Sequence, residues 1–376
     1  MDLSLSEEQQ LLKDSVARFV SDNYSVDKRR HLRDTDDGFD REFWQQYADL
    51  GWLALPFAEE DGGYGGSAVD SMVMLEELGR GLVAEPFLIN VLLCGGFLRV
   101  AEQSQRTNFL PALIAGESQW AFAFAEPDGR FNLADISCTA AAQDGGFVLN
   151  GSKVAVLNGH CADYLLVSAR SSGAQRDSDG ISLFIVAADA PGLSRQSYPL
   201  VDGTRGADIR FDNVSVAADA LLGEAGSALP VIEDVVAQAL VGLGAEALGA
   251  MDALLEATVE YTKTREQFGQ PIGKFQALQH RMADMYLHCQ SLRSLLYYAA
   301  ITRDGQGEEA IAAASAVKVK LDEASRFVSQ QAVQLHGGIG MTDELGVSHY
   351  FKRLLLLNTL FGDGEHHLRR YLSHSA

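Results

Sequence analysis

A chain of 376 residues is long for a single hydrophobic core and accommodates two or three domains. Apolar residues make up 47% of it and charged residues 22%, the balance of an ordinary globular protein. A net charge of −21 leaves no basic face for nucleic acid, and no apolar run is long enough and free enough of charge to cross a bilayer.

The first segment, residues 1–118, reads as helical. Its start, "MDLSLSEEQQLLKDSV", is acidic and amphipathic rather than basic and apolar, so a signal peptide is not expected. Ser6 is placed to cap a helix carrying Leu11, Leu12, Val16, Phe19 and Val20 at helical spacing. A second helix is expected from Asp40, a loop at "EEDGGYGGSAVD", and a third helix ending at Gly79 to Gly81.

Residues 119–225 change character. "WAFAFAEP", "FVLNGSKVAVLNG", "YLLVSAR", "ISLFIVA" and "IRFDNVSV" are short apolar or alternating runs separated by Asn-Gly, Gly-Gly and Asp-Gly turns. That pattern predicts an antiparallel β domain, with "SARSSGAQRDSDGIS" as the turn of a long hairpin. Residues 226–376 return to helical periodicity, with three long helices, the last ended by Gly337 and Gly338. Cys94, Cys138, Cys161 and Cys289 show no CxxC spacing and read as reduced thiols of a cytoplasmic protein.

Two stretches could carry chemistry. In "TREQFGQPIGKFQALQHRMADM", Arg265 and Phe268 could grip a phosphate and cover a flat group; equally, Arg265 could cap a helix and Phe268 fill the core. In "QAVQLHGGIGMTDE", Gln334 could bond a base or ribose, and Gly337–Gly338 either admit a ligand or simply end the helix.

Taken together, "RxxFGxPIxxFQxxQHxxADM" (265–285), "QxxGGxG" (334–340), "AEP" at Glu126 and Pro127, "NGxKxxxxNGxxADxxxVxAR" (150–170) and "FDNVSVAADALLGE" (211–224) resemble the acyl-CoA dehydrogenase family over essentially the whole chain. The resemblance implies a mainly α protein with an N-terminal helical domain, a β-barrel-like middle domain and a C-terminal four-helix bundle. It implies FAD as cofactor and an acyl-CoA thioester as substrate. A carboxylate takes the α-proton and the flavin accepts hydride from the β-carbon. Arg265, Phe268, Gln276, Gln334, Gly337 and Gly338 match residues that hold the adenine and pyrophosphate half of a flavin seated mainly in a neighbouring subunit.

The chain departs from the family where the reaction takes place. Phe361 stands in the slot of the usual catalytic glutamate, and Ala239 in the slot used by a minority of members. Leu240 replaces an arginine that often meets substrate. Ala125, Ala155 and Leu157 replace groups that bed the flavin ring, and Asp363 replaces a flavin-contacting threonine. The resemblance is therefore to the small subunit of two-component acyl-CoA dehydrogenases, hetero-oligomers of tetramer type that often act on bulky acyl groups such as steroid side chains. A second dehydrogenase-like chain would bring the base. The alternatives are a self-sufficient homotetramer with a displaced base, and a non-catalytic assembly subunit. Glu246 is the first fallback base, seven residues beyond Ala239 and so on the same helix face, though about 10 Å along the axis. Asp363 and then Glu365 follow it. His366 and His367 are adjacent and face differently on a helix, so a metal site is not expected.

Overall fold

The computed structural model describes residues 4–303 and 307–374; the outer ends of the expected first and last domains, 1–3 and 375–376, lie outside the described residues. The chain opens with α1 (Glu7–Asn23), α2 (Val26–Arg33), α3 (Arg41–Asp49), α4 (Ala68–Arg80), α5 (Gly95–Arg99) and α6 (Gln103–Ile114). Strands follow: β1 (Trp120–Ala123), β2 (Thr139–Gln143), β3 (Gly146–Leu157), β4 (Tyr164–Arg170), β5 (Ile181–Ala187), β6 (Leu193–Pro199), β7 (Arg205–Ala217) and β8 (Leu221–Leu222). Then come α7 (Leu229–Thr264), a short hairpin of β9 (Glu266–Gln267) and β10 (Gln270–Pro271), α8 (Gln276–Arg303), α9 (Glu308–His336), α10 (Gly346–Thr359) and α11 (Gly364–His374). The succession of helices, strands and helices is the one the sequence pattern predicts.

The chain forms two compact units, one of Met1–Asp34, Ser67–Ala84 and Leu240–Ala376, the other of Thr35–Gly66 and Glu85–Ala239. The first unit is helical. Ser6 caps α1 as expected: its hydroxyl accepts from the Gln9 amide at 3.2 Å while the Gln9 side chain accepts from the Ser6 amide at 3.0 Å. Val16 and Val20 are buried on α1, but Leu11 is 69% exposed. The five-residue step from Leu11 to Val16 is about 140° around a helix, so the two side chains cannot share one buried face.

Gly79 lies inside α4, and Gly81 is the C-cap. The reason is a helix crossing. A Cβ on Gly79 would lie 2.0 Å from the Glu246 carbonyl oxygen of α7, and one on Gly249 would lie 1.8 Å from the Glu76 carbonyl oxygen of α4. Only glycine permits so close an approach of two backbones. On α9, Ala310, Ala313, Val317, Leu321, Ala324 and Val328 are buried at helical spacing, so small side chains let α8, α10 and α11 pack closely around it.

The second unit is built on an eight-stranded sheet of order β6-β7-β3-β2-β4-β5-β8, with β1 added to β4. The expectation of an antiparallel sheet needs one correction: β1 pairs with β4 in parallel, and β2 meets β4 in parallel at Thr139 and Arg170. The chain leaves β1, completes the β2–β3 hairpin and returns beside β1, and such a crossover brings strands side by side in the same direction. From Leu165 onward β4 is buried on both faces, so it reads as a continuous apolar run rather than an alternation. The β4–β5 hairpin is antiparallel from Tyr164–Ala187 to Arg170–Ile181, with the expected polar turn beyond it.

Candidate functional site

The turn joining α10 to α11 is fixed from several sides. Phe361 is 8% exposed and adopts φ 57°, a left-handed conformation that costs a bulky residue about 1–3 kcal/mol. Gly362 follows at φ 121°, where a Cβ would come within 2.6 Å of the His366 ring. Lys318 of α9, with no exposed surface, donates to the carbonyl oxygens of Leu357, Asn358 and Leu360, each at 2.9 Å. His367 Nε2 lies 3.0 Å from the Phe361 carbonyl oxygen and must therefore carry the proton it donates there, leaving Nδ1 to accept from Ser315 Oγ at 3.3 Å. Burial, reinforced by the Lys318 charge, pushes the His367 pKa down to about 3, so its ring is neutral at pH 7.

The acids of this segment serve its architecture. Asp363 Oδ1 accepts the His366 amide at 2.9 Å, an N-cap for α11. Glu365 is exposed and pairs with Arg369 one turn on. His366 and His367 begin the last helix as expected, and no cluster of metal-ligating side chains occurs among the described residues.

On α7, Ala239 and Leu240 are both buried, 1% and 3% exposed. Glu246 is buried too, at the α4 crossing, and its Oε1 accepts from Arg353 Nε and Nη2 of α10, each at 2.6 Å. The carboxylate that sequence offered as a displaced base is thus one half of an ion pair.

Arg265, Phe268 and Gln276 surround the β9–β10 hairpin and are exposed. Phe268 and Gly269 form its two-residue turn, both with positive φ (53° and 78°), the twist that joins tight antiparallel strands. Asparagine is the usual non-glycine residue for the first position; phenylalanine there is a local mismatch of the kind found at functional sites. Phe268 is 92% exposed, which excludes the reading of it as core. The end of α9 lies against the same region. The Tyr261 ring stacks on the His336 ring at 4.4 Å and 27°, and its hydroxyl donates to the His336 carbonyl at 3.3 Å. Gln334, Gly337 and Gly338 are exposed. Gly337, at φ 66°, ends α9, and a Cβ on Gly337 or Gly338 would meet no atom within 4 Å. The glycine pair therefore caps the helix and leaves open backbone. These six residues present one cation, one bare ring, two amides and accessible main chain, a donor set fitted to a phosphate and a flat heterocycle.

In the second unit, two of the quoted motifs meet in one buried network. Lys153 Nζ donates to Glu126 Oε1 at 2.8 Å, the Phe124 carbonyl at 3.1 Å and Ser168 Oγ at 3.2 Å. Glu126 also accepts the Ser137 and Cys138 amides at 2.7 and 3.1 Å. Burial pushes the Glu126 carboxyl up, but Lys153 and Ser137 outweigh it and hold the carboxyl below its ordinary range. "AEP" and "NGxK" thus anchor the loop after β1 to β3. At the expected ring-bed positions, Ala125 is half-buried, Leu157 is half-buried and Ala155 is exposed. Ala155 has φ 51° at a β3 bulge, and its amide donates to Tyr198 Oη and Asp208 Oδ1, each at 3.1 Å. None of the three side chains can hydrogen-bond to a ring.

Sequence reasoning missed Lys318, Arg353 and the Tyr261–His336 stack. The position of Lys318 among buried alanines of α9 was a readable sign, because a cation on an apolar face needs partners.

Comparison with known proteins shows the family. Residues 6–117, 121–214 and 229–374 match the family models for the N-terminal, middle and C-terminal domains of acyl-CoA dehydrogenase. Isovaleryl-CoA dehydrogenase from Oryza sativa subsp. japonica is 31% identical, over 98% of this chain and 91% of that protein. A chain of the ChsE4-ChsE5 complex from Mycobacterium tuberculosis superimposes with a TM-score of 0.90 at 27% identity, covering 100% of this chain and 99% of that one. PigA in its FAD complex gives 0.91 at 26% identity, covering 100% of both chains. The chain belongs to the acyl-CoA dehydrogenase family. No helix among the described residues is long and apolar enough to cross a membrane.

Proposed function

We infer that this chain is the subunit of a heteromeric, FAD-dependent acyl-CoA dehydrogenase that completes the cofactor site, while a second dehydrogenase-like subunit carries the catalytic base. The observation that carries the reading is Phe268: a phenylalanine 92% exposed, held on a strained two-residue turn beside Arg265, is a ring built to be covered by something else. Arg265 would neutralise the pyrophosphate, Phe268 and Gln276 would flank it, and Gln334 with the open Gly337–Gly338 backbone would meet the adenosine end.

The base positions support the same division of labour. Phe361 and Ala239 have no proton to exchange, and Glu246 is held by Arg353. FAD, when bound, would supply the acceptor for the hydride that leaves the β-carbon of the acyl thioester. This chain's residues would hold its phosphates and shield it from water. The ChsE4-ChsE5 complex, an assembly of two differently named chains, is compatible with this arrangement. The assembly is a hetero-oligomer of tetramer type in the cytoplasm, acting in lipid or steroid degradation, and the chain divides at 118/119 and 225/226.

Co-expression with the dehydrogenase-like partner tests the reading. The complex turns over an acyl-CoA, replacement of the partner's catalytic carboxylate abolishes turnover, and the double variant Glu246→Met with Arg353→Met in this chain, which strands no buried charge, leaves it within about threefold. Turnover by this chain alone that vanishes in the folded double variant Glu246→Met with Arg353→Met would establish a homotetramer with a displaced base instead.

A further inference from the structure

The last carbonyls of a helix have no partner within it. At the end of α10 those of Leu357 and Asn358, with that of Leu360 just beyond the helix, converge on one side chain, Lys318, 39 or more residues away in sequence. An ammonium has three N–H donors, and here each has its own carbonyl. The titratable groups facing it are Asp322 on α9, Asp363 in the turn, and His366 and His367 on α11. The ammonium reaches all three carbonyls from across the bundle. The residue that follows is Phe361 in its left-handed conformation, a state that persists only when its surroundings impose it.

We propose that Lys318 is a positioning residue: by gathering the carbonyls of Leu357, Asn358 and Leu360 it fixes the 357–363 turn and so sets the direction in which the side chain at position 361 is presented. The effect on the turn stands on the geometry alone; its consequence for an acyl thioester rests on the heteromeric reading above. In that reading Phe361 is a wall rather than an acid, and Lys318 acts on substrate fit through it.

The charge matters as well as the shape. Burial lowers the lysine pKa from its ordinary value to about 7. A neutral amine offers two N–H groups and leaves one carbonyl without a donor. As pH rises through 7 the turn therefore loosens. Global stability moves the opposite way: with a folded pKa below the ordinary 10.5, the unfolded chain binds the extra proton between the two values, so unfolding becomes harder as pH rises there. A residue that merely stabilised the fold would not separate these two trends.

Hydrogen–deuterium exchange on the full chain, alone and in the flavin-loaded complex, reads the proposal. Lys318→Met, of similar volume without donors, is expected to speed exchange over 357–363 by about tenfold and leave α7 and α8 within about twofold. In the complex it raises KM for the acyl thioester about fivefold at nearly unchanged kcat and flavin content, and Lys318→Arg recovers part of the loss. In the wild type, corrected exchange over 357–363 rises between pH 6 and about 9 relative to α7, and Lys318→Arg abolishes that rise. Equal exchange of the turn in wild type and Lys318→Met overturns the proposal. If Lys318→Met does not fold, a flat wild-type pH series overturns it on its own. A chain that takes up no flavin with any partner would contradict the heteromeric reading and leave the exchange result intact.

Discussion

The Glu246 carboxylate and the Arg353 guanidinium meet at 2.6 Å across α7 and α10, both largely withdrawn from solvent. A pair of this kind stabilises weakly while intact, because desolvation offsets most of the attraction, and costs heavily when one member is removed. Arg353→Met should therefore destabilise the chain by about 3 kcal/mol, read from the denaturant midpoint at unchanged slope. The double variant Glu246→Met with Arg353→Met should regain more than half of that loss, since no lone charge remains. A free carboxylate acting as a base would instead lose activity without this coupling.

Phe268 separates binding from folding. Because its ring is 92% exposed, Phe268→Ala should change folding stability by less than about 0.5 kcal/mol. In the assembled enzyme the same change should weaken flavin retention by about tenfold, the loss of one stacked aromatic contact. Flavin titration of the complex beside thermal unfolding of the chain alone gives both numbers.

His367 gives an acid limb with a known sign. Its folded pKa, about 3, lies below the ordinary 6.5, so between those values the unfolded chain binds a proton that the folded chain does not. The stability it contributes is complete above pH 6.5 and is lost as pH falls toward 3. His367→Gln, which keeps an amide donor for the Phe361 carbonyl, should flatten the stability–pH curve across this window. Glu126, with its carboxyl held low, adds a second loss at more acid pH that His367→Gln leaves in place.

Much of the architecture was readable because it is local. The Ser6 and Gln9 capping box, the Gly337 C-cap and the β4–β5 hairpin each depend on residues close in sequence. The "AEP" and "NGxK" motifs were recognised as family marks, but their physical role, a buried Glu126–Lys153 anchor, appears only once β1 and β3 are brought together. The parallel pairing of β1 with β4 could not be seen, since strand direction follows from a crossover rather than from composition. The partner of Glu246 was hidden for a similar reason: Arg353 lies 107 residues away. Phe268 was legible only as a choice between core and ligand contact, which exposure decides.

The central claim, that this chain lends a half-site for a flavin whose ring is bedded and whose substrate is deprotonated by another chain, is tested most directly by visible absorbance. The chain purified alone should be colourless, and the complex with its dehydrogenase-like partner should carry about half a flavin per chain, as one shared site for each pair of subunits requires. A full flavin on each chain of the protein purified alone, bleached on addition of an acyl-CoA, would contradict it.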